Sequence, residues 1–180
     1  MADLSGLGWL FQSAVIEGAS PKYTARQLRA WAGQRQPPSW LSSTLRSGRT
    51  RIAGPKLRGF LTARTDGYLA LFFVYPSERG GPVAPALYND CARWCERSGV
   101  PQMSAHASHL LRPFLERRGW TTVRTECVLR RGQRIERFFM LSRTRAVPTS
   151  AAPRDSILKG CETDRSARDP LSHRISERLE

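Results

Sequence analysis

The sequence has few acidic residues and no long apolar segment. It holds 15 Asp and Glu against 29 Lys and Arg, so the formal net charge of its 180 residues is +14. No apolar run reaches the about 18 residues that a membrane-spanning helix needs, and no signal-peptide pattern is present. We therefore expect a soluble, cytoplasmic protein. Its charge predicts an anionic partner, such as a nucleic acid, an acidic membrane surface or a polyanionic cofactor.

Cysteine and histidine are scarce and poorly placed for metal binding. None of the 4 cysteines belongs to a Cys-x-x-Cys pair, and the 3 histidines are not spaced to complete a zinc site. Cys91 and Cys95 lie one helical turn apart, which is typical of small apolar helix residues. The sequence therefore predicts no metal site.

Large apolar residues become sparse after residue 145. The segment 146–180 has 6 basic and 6 acidic residues and no sustained periodicity. This composition predicts a disordered polar tail over residues 146–180, preceded by one domain over residues 1–145. The segment's charges cancel, so the predicted domain carries the whole formal charge.

Two periodicities divide the predicted domain. Apolar residues first recur with the 3.6-residue period of helices, and after Gly48 they alternate as in strands. Thr24 and Gln27 form a capping box, which predicts a helix that begins there and ends at Gly33. The predicted elements are helices over residues 4–17, 24–33, 40–45, 83–98 and 109–118, and strands over residues 49–53, 57–63, 68–74, 102–107, 120–130 and 134–142. This order predicts an α/β domain in which helices flank a mixed, mostly antiparallel sheet.

A strand, a glycine turn and a helix start over residues 68–84 favour phosphate binding. The first turn of a helix has free N–H groups and the positive end of the helix dipole, which attract an anion. Arg79 lies at the mouth of the turn and can add a charge-assisted hydrogen bond. The same pattern also fits an ordinary connection between a strand and a helix.

Four segments, in order and at matching spacings, resemble the GNAT acetyltransferases and in particular their YafP-like branch. They are YTARQLRAWA at 23–32; GF at 59–60 with DGYL at 66–69 and FVYP at 73–76; RGGPVA at 79–84 with ALY at 86–88; and ASHLLRPFLERRGW at 107–120 with RRG at 130–132 and FFM at 138–140. The resemblance covers about residues 7–142. It implies the GNAT acyl-CoA N-acyltransferase fold.

The resemblance implies an N-acetyltransferase that uses acetyl-CoA as co-substrate and acts on a primary amine of a small molecule or peptide. In that family two strands splay apart around the pantetheine arm, here beside Phe72, Phe73 and Val74. Ser108 is expected to contact the cofactor or the leaving thiol. The residues expected to bind the pyrophosphate are Arg79, Gly80, Gly81, Val83 and Ala84. Coenzyme A would then account for the basic charge, and we expect neither a membrane nor a nucleic-acid partner.

The sequence departs from the family pattern at two site positions. Pro82 replaces the glycine of the phosphate loop, which removes an N–H donor and would weaken cofactor binding by about ten- to hundredfold. Leu115 stands where many members place a tyrosine as general acid. A degenerate member with weak or no catalysis is therefore the alternative function, followed by a basic nucleic-acid-binding protein, for which no binding motif is recognised.

The family has a strand ahead of its first helix, and residues 1–6 are too short and polar to supply one. We therefore expect that strand to be missing. The strand over residues 49–53 should then form an exposed edge, which favours dimerisation. A misassigned start codon or a truncated gene would equally account for the missing strand.

Glu17 and Tyr23 are the candidate catalytic residues, because acceptor sites of this family lie in the first helix-loop-helix. Glu17 also fits a solvated carboxylate at a helix end, and Tyr23 also fits plain packing. His106 lies on the strand beside the expected splay and titrates near neutrality when unperturbed. A partly exposed strand histidine is its simpler interpretation.

Overall fold

Three helices precede the sheet in this computed structural model, which describes residues 4–20, 22–33, 39–54 and 56–143. They are α1 (Leu4–Ile16), α2 (Ala25–Ala32) and α3 (Ser39–Arg46). The predicted capping box begins α2: the Thr24 Oγ1 accepts the Gln27 N–H at 3.3 Å, and the Gln27 Oε1 accepts the Thr24 N–H at 2.8 Å. Among the described residues before Gly48, all regular structure is helical.

In the described residues the sheet has six strands, in the order β1-β2-β3-β4-β6-β5. Their bounds are Arg49–Ala53, Gly59–Ala63, Tyr68–Val74, Gln102–Ala107, Trp120–Arg130 and Gln133–Arg143 for β1 to β6. Only β3 and β4 pair in parallel, and the other neighbours are antiparallel. The prediction of a mixed, mostly antiparallel sheet flanked by helices is confirmed.

Two further helices follow the predicted turns. The helix α4 (Val83–Arg97) joins β3 to β4, and α5 (Leu111–Glu116) joins β4 to β5. The prediction of a helix over residues 109–118 is too long at both ends, and at its start His109 is held outside the helix. Its N–H donates to the Tyr23 hydroxyl at 3.1 Å, and its Nε2 lies 3.0 Å from the Glu136 Oε1.

Two apolar cores lie on opposite faces of the sheet. One holds side chains of α1, α2 and α3, and the other holds side chains of α4 and α5. Within β3, Leu71 pairs with Thr62 while Leu69 pairs with Ala63, so Ala70 is an extra residue that forms a bulge. The bulge changes which side chains face each core: Leu69 lies in the α4–α5 core and Leu71 in the α1–α3 core.

The strand β1 forms one edge of the sheet, as predicted for residues 49–53, and β5 forms the other. Dimerisation through such an edge stays a prediction. No helix in the described part of the chain is long and apolar enough to cross a membrane. The predicted tail over residues 146–180 lies outside the described residues.

Candidate active site where two strands separate

The parallel strands β3 and β4 pair over only two positions, Tyr68 with Ser104 and Leu69 with Ala105. Beyond the bulge at Ala70 the two strands diverge, although β3 continues to Val74. The divergence leaves the β4-facing backbone of β3 without a strand partner in the part of the chain that the structure describes. This is the geometry that the family resemblance led us to expect.

A cleft of about 280 Å³ occupies the gap between these strands. Its lining residues are Ala14, Val15, Ala19, Trp31, Phe72, Phe73, Val74, Arg79, Gly80, Ala84, Ser108, Leu110, Leu111, Phe114 and Arg117. Some of them, such as Val15 and Phe73, belong to the α1–α3 core, and others, such as Phe72 and Phe114, to the α4–α5 core. The cleft therefore passes through the sheet from one face to the other.

Three backbone N–H groups in the loop before α4 and in its first turn have no hydrogen-bond acceptor among the described residues, namely those of Gly80, Val83 and Ala84. Gly80 has a φ of 72°, a left-handed conformation that favours glycine. Free N–H groups at a helix N-terminus form an anion site, supported by the helix dipole. We call the three groups the N–H cradle.

The remaining positions of the loop offer no free donor. The Arg79 N–H donates to the Pro76 carbonyl at 3.3 Å, and the Gly81 N–H to the Glu78 carbonyl at 3.2 Å. Pro82 has no N–H, and its carbonyl accepts the Ala86 N–H at 3.0 Å. The Gly81 N–H is therefore not free to bind a phosphate, and Gly81 does not line the cleft.

Two arginines bring positive charge to the cleft. The Arg79 Nη2 donates to the carbonyl of Gly18, which lies just after α1. This hydrogen bond spans the cleft and ties the loop before α4 to the opposite face of the sheet. Arg117 follows α5 and is largely exposed. Because an arginine carries five N–H donors, Arg79 keeps donors for a phosphate after this contact.

Ser108 and Leu115 take different places in the structure. Ser108 lines the cleft, and its Oγ accepts the Leu111 N–H at 3.2 Å, so its O–H can still donate. Leu115, at the position of the family's tyrosine, is fully buried in the α4–α5 core. The side chain at 115 therefore serves packing.

Neither candidate catalytic residue lines the cleft. Glu17 is exposed just beyond α1, where it accepts the Ser13 hydroxyl at 2.8 Å. Tyr23 is buried, and its hydroxyl donates to the Glu136 carbonyl at 3.3 Å while accepting the His109 N–H. Burial raises the pKa of Tyr23 although the His109 hydrogen bond opposes the shift. The catalytic roles of both residues stay predictions.

A polar cluster at the closed end of the strand separation surrounds His106. The Tyr68 hydroxyl lies 2.9 Å from the Nδ1 of His106, and the Glu126 carboxylate lies 3.2 Å from its Nε2. Burial and the charge of Arg137 lower the pKa of His106. Burial alone would raise the pKa of Glu126, but hydrogen bonds from Arg124 and Arg137 hold it at about 2. These two pKa shifts favour a neutral His106 imidazole and a charged Glu126 carboxylate.

Sequence reasoning misses much of the cleft lining. Trp31 belongs to a family signature, but Leu110 and Phe114 have the pattern of ordinary helix positions. Arg117 is, in the sequence, only one of a pair of basic residues at a helix end. Their place in the site depends on where α5 packs, for which the sequence carries no local signal.

Comparisons with known proteins agree with this geometry. Residues 19–142 match the family model of the acetyltransferase (GNAT) domain. The chain is 30% identical over 139 residues to the uncharacterized N-acetyltransferase YafP of Escherichia coli K12, over 77% of this chain and 88% of YafP. A GCN5-related N-acetyltransferase from Rhodopseudomonas palustris has a TM-score of 0.69 at 19% identity, over 76% of this chain and 87% of that chain.

A second solved structure, the PaiA N-acetyltransferase of Thermoplasma acidophilum in complex with coenzyme A, has a TM-score of 0.58 at 11% identity. The match covers 78% of this chain and 92% of that chain. The family model spans well over half of the sequence, and the matched residues include the separated strands and the loop before α4. The protein therefore belongs to the GNAT acetyltransferase family.

Proposed function

We propose that the protein transfers the acetyl group of acetyl-CoA to a primary amine of a small molecule or peptide. The observation that carries the proposal is a cleft that crosses the sheet at the strand separation and has the N–H cradle beside it. An elongated anionic thioester and an amine can enter such a cleft from opposite faces. The coenzyme A bound to PaiA is the ligand type that this family's fold accommodates.

The N–H cradle and Arg79 would bind the pyrophosphate of the co-substrate. Each of the three N–H groups can donate to a phosphate oxygen, and the Arg79 guanidinium adds charge. Arg117, on the same side as α5, can bind a further phosphate. The unpaired backbone of β3 at Phe72, Phe73 and Val74 would hold the pantetheine arm and polarise the thioester carbonyl.

The transfer itself needs little from the side chains. The amine nitrogen attacks the carbonyl carbon, the C–N bond forms, and the C–S bond breaks with its electron pair moving to sulfur. The nitrogen loses one proton to a base, and the thiolate gains one. We assign to the Ser108 hydroxyl the hydrogen bond that stabilises the departing thiolate, because Ser108 lines the cleft and its O–H is a donor.

A ligand titration tests the cofactor site. Acetyl-CoA should raise the unfolding midpoint saturably, with about 2.7 kcal/mol of stabilisation at a hundredfold excess over Kd. Desulfo-CoA should act similarly and ADP more weakly, because ADP lacks the pantetheine arm. A flat response at millimolar acetyl-CoA would refute the proposal.

The variant Arg79→Gln should weaken acetyl-CoA binding by about tenfold or more, because a charge-assisted hydrogen bond is lost. Arg29→Gln is the matched control, since it removes the same charge from an exposed position on α2. Calorimetric titration of both variants gives the two Kd values. Equal losses in both would assign the effect to net charge and would contradict the role of Arg79.

A further inference from the structure

The half of the cleft that faces α1 and α2 is apolar apart from the Arg79 guanidinium, which reaches the Gly18 carbonyl. It is lined by Ala14, Val15, Ala19, Trp31 and Phe73, which we call the acceptor chamber. The N–H cradle lies at α4, on the opposite face of the sheet. A thioester anchored there reaches the chamber only with its acyl end, so the chamber is the space left for the acceptor.

Charge in the described lining of the cleft has one sign. Among the described residues that line it, none is Asp or Glu, and the charged ones are Arg79 and Arg117. The formal charge of the whole sequence is +14. A second ammonium group on an acceptor would therefore be buried without a carboxylate partner, which is strongly unfavourable.

Trp31 gives the chamber a fixed aromatic wall. Its ring packs edge-on against Tyr23, with centroids 5.5 Å apart and an interplanar angle of 69°. Tyr23 is itself held by hydrogen bonds to the Glu136 carbonyl and from the His109 N–H. A wall that is positioned before binding loses little entropy when an apolar group packs on it.

An apolar chamber also suits the protonation state that the reaction needs. Burial in a medium of low polarity lowers the pKa of an alkylammonium group, which favours the neutral amine. The neutral amine is the nucleophile. Apolar walls can therefore assist deprotonation where the described lining has no carboxylate to accept the proton.

We propose that the acceptor is a primary amine on an uncharged, apolar body, and that Trp31 is the residue on which this body packs. Polyamines and aminoglycosides, which would bring a second ammonium group into the chamber, should bind weakly for the same reason. The inference rests on the proposed function, because it assigns the acceptor side of that cleft.

The test compares three linear probes on the full-length protein saturated with coenzyme A, which cannot donate an acetyl group. Calorimetric titration with hexylamine, 1,6-diaminohexane and 6-aminohexanoate varies only the far end of the chain. We expect hexylamine to bind at least tenfold more tightly than the diamine. It should also bind more tightly than the amino acid, because Arg79 is then paired with the pyrophosphate of the bound coenzyme A and an acceptor carboxylate would be buried without a cation. Equal or tighter binding of the diamine or the amino acid, or no binding of hexylamine, overturns the proposal.

Variants then locate the site. Trp31→Ala should weaken hexylamine binding by about tenfold or more, because the apolar wall is lost. Trp9→Ala is the matched control, since Trp9 is 60% exposed on α1 and does not line the cleft. Equal affinities in the wild type and Trp31→Ala would overturn the assignment of Trp31. If Trp31→Ala does not fold, the probe comparison on the unmodified protein still decides the acceptor class.

The failure of the proposed function can be told apart from the failure of this inference. Binding of coenzyme A is measured before any amine is added. Without that binding the proposed function fails, and the acceptor assignment fails with it. With binding intact, the amine series alone decides the acceptor class.

Discussion

At the residue scale, we expect Pro82 to weaken the proposed anion site without removing it. The sequence predicts the loss of one donor, and the structure places Pro82 directly before α4, between the free N–H groups of Gly80 and Val83. Its φ of −76° suits a proline at a helix start. The fold therefore tolerates Pro82, and we expect its effect to fall on the affinity for acetyl-CoA.

Pro82→Gly should bind acetyl-CoA about tenfold more tightly, because the restored N–H adds one donor to the N–H cradle. The same change should lower stability by about 1 kcal/mol, since glycine gives the unfolded chain more freedom. Calorimetry and urea unfolding measure the two effects. Pro113→Ala, on an exposed position of α5, is the control and should leave the affinity unchanged. An unchanged Kd in Pro82→Gly would show that the phosphate does not use this position.

His106 should make stability sensitive to mild acid. Burial and Arg137 lower its pKa in the folded state below the ordinary value of about 6.5. The unfolded chain then binds the proton more readily, so stability is full above about pH 6.5 and falls as pH decreases through the folded pKa. The Glu126 carboxylate, with a pKa of about 2, contributes its own loss only at lower pH.

The measurement is urea unfolding between pH 7.5 and pH 5. The wild type should lose stability over this range, and His106→Gln should lose less. His109→Gln serves as the control, since His106 is still present and its contribution to the loss should persist. A pH dependence that is the same in the wild type and His106→Gln would contradict the assignment.

At the element scale, one side chain of α2, that of Gln27, makes both a local and a distant contact. Gln27 completes the capping box with Thr24, and its Nε2 also donates to the Arg134 carbonyl at 2.8 Å. The capping box is readable in the sequence because its two residues are three apart. The contact with β6 is not, because it joins residues 107 positions apart.

Gln27→Ala should therefore destabilise the protein more than Thr24→Ala. Loss of the Thr24 cap costs about 1 kcal/mol. Loss of Gln27 removes its half of the capping box and the hydrogen bond to β6, for a total of about 2 kcal/mol. Urea unfolding of the two variants gives the difference. Equal losses would show that the contact with Arg134 contributes nothing to stability.

The predicted bounds of two elements, one strand and one helix, were wrong. The strand predicted over residues 57–63 begins at Gly59, because Leu57 has a φ of 49° and belongs to the preceding turn. The helix predicted over residues 109–118 begins later than expected because Tyr23 and Glu136 hold His109. Tyr23 and Glu136 lie far from His109 along the chain, so the sequence around His109 gives no sign of these contacts.

At the scale of the whole molecule, the proposed division at residue 145 has a direct test. A chain that ends after Arg145 should keep the unfolding midpoint and the acetyl-CoA response of the full chain, because residues 146–180 offer few large apolar side chains for a core. Thermal unfolding with and without acetyl-CoA is the measurement. A clearly lowered midpoint or a lost ligand response would place part of residues 146–180 in the domain.

The sequence by itself determined most elements and their order, because periodicity and caps are local patterns. The family came from a resemblance that four segments of the sequence carry. Tertiary structure decided which groups can serve the site. The free N–H groups are those of Gly80, Val83 and Ala84, since nearby carbonyls take those of Arg79 and Gly81. The Tyr23 hydroxyl is bound by residues 86 and 113 positions away. The contacts of Tyr23 depend on how distant segments pack, which no local pattern specifies, whereas those of Arg79 and Gly81 depend on the detailed backbone geometry of the turn.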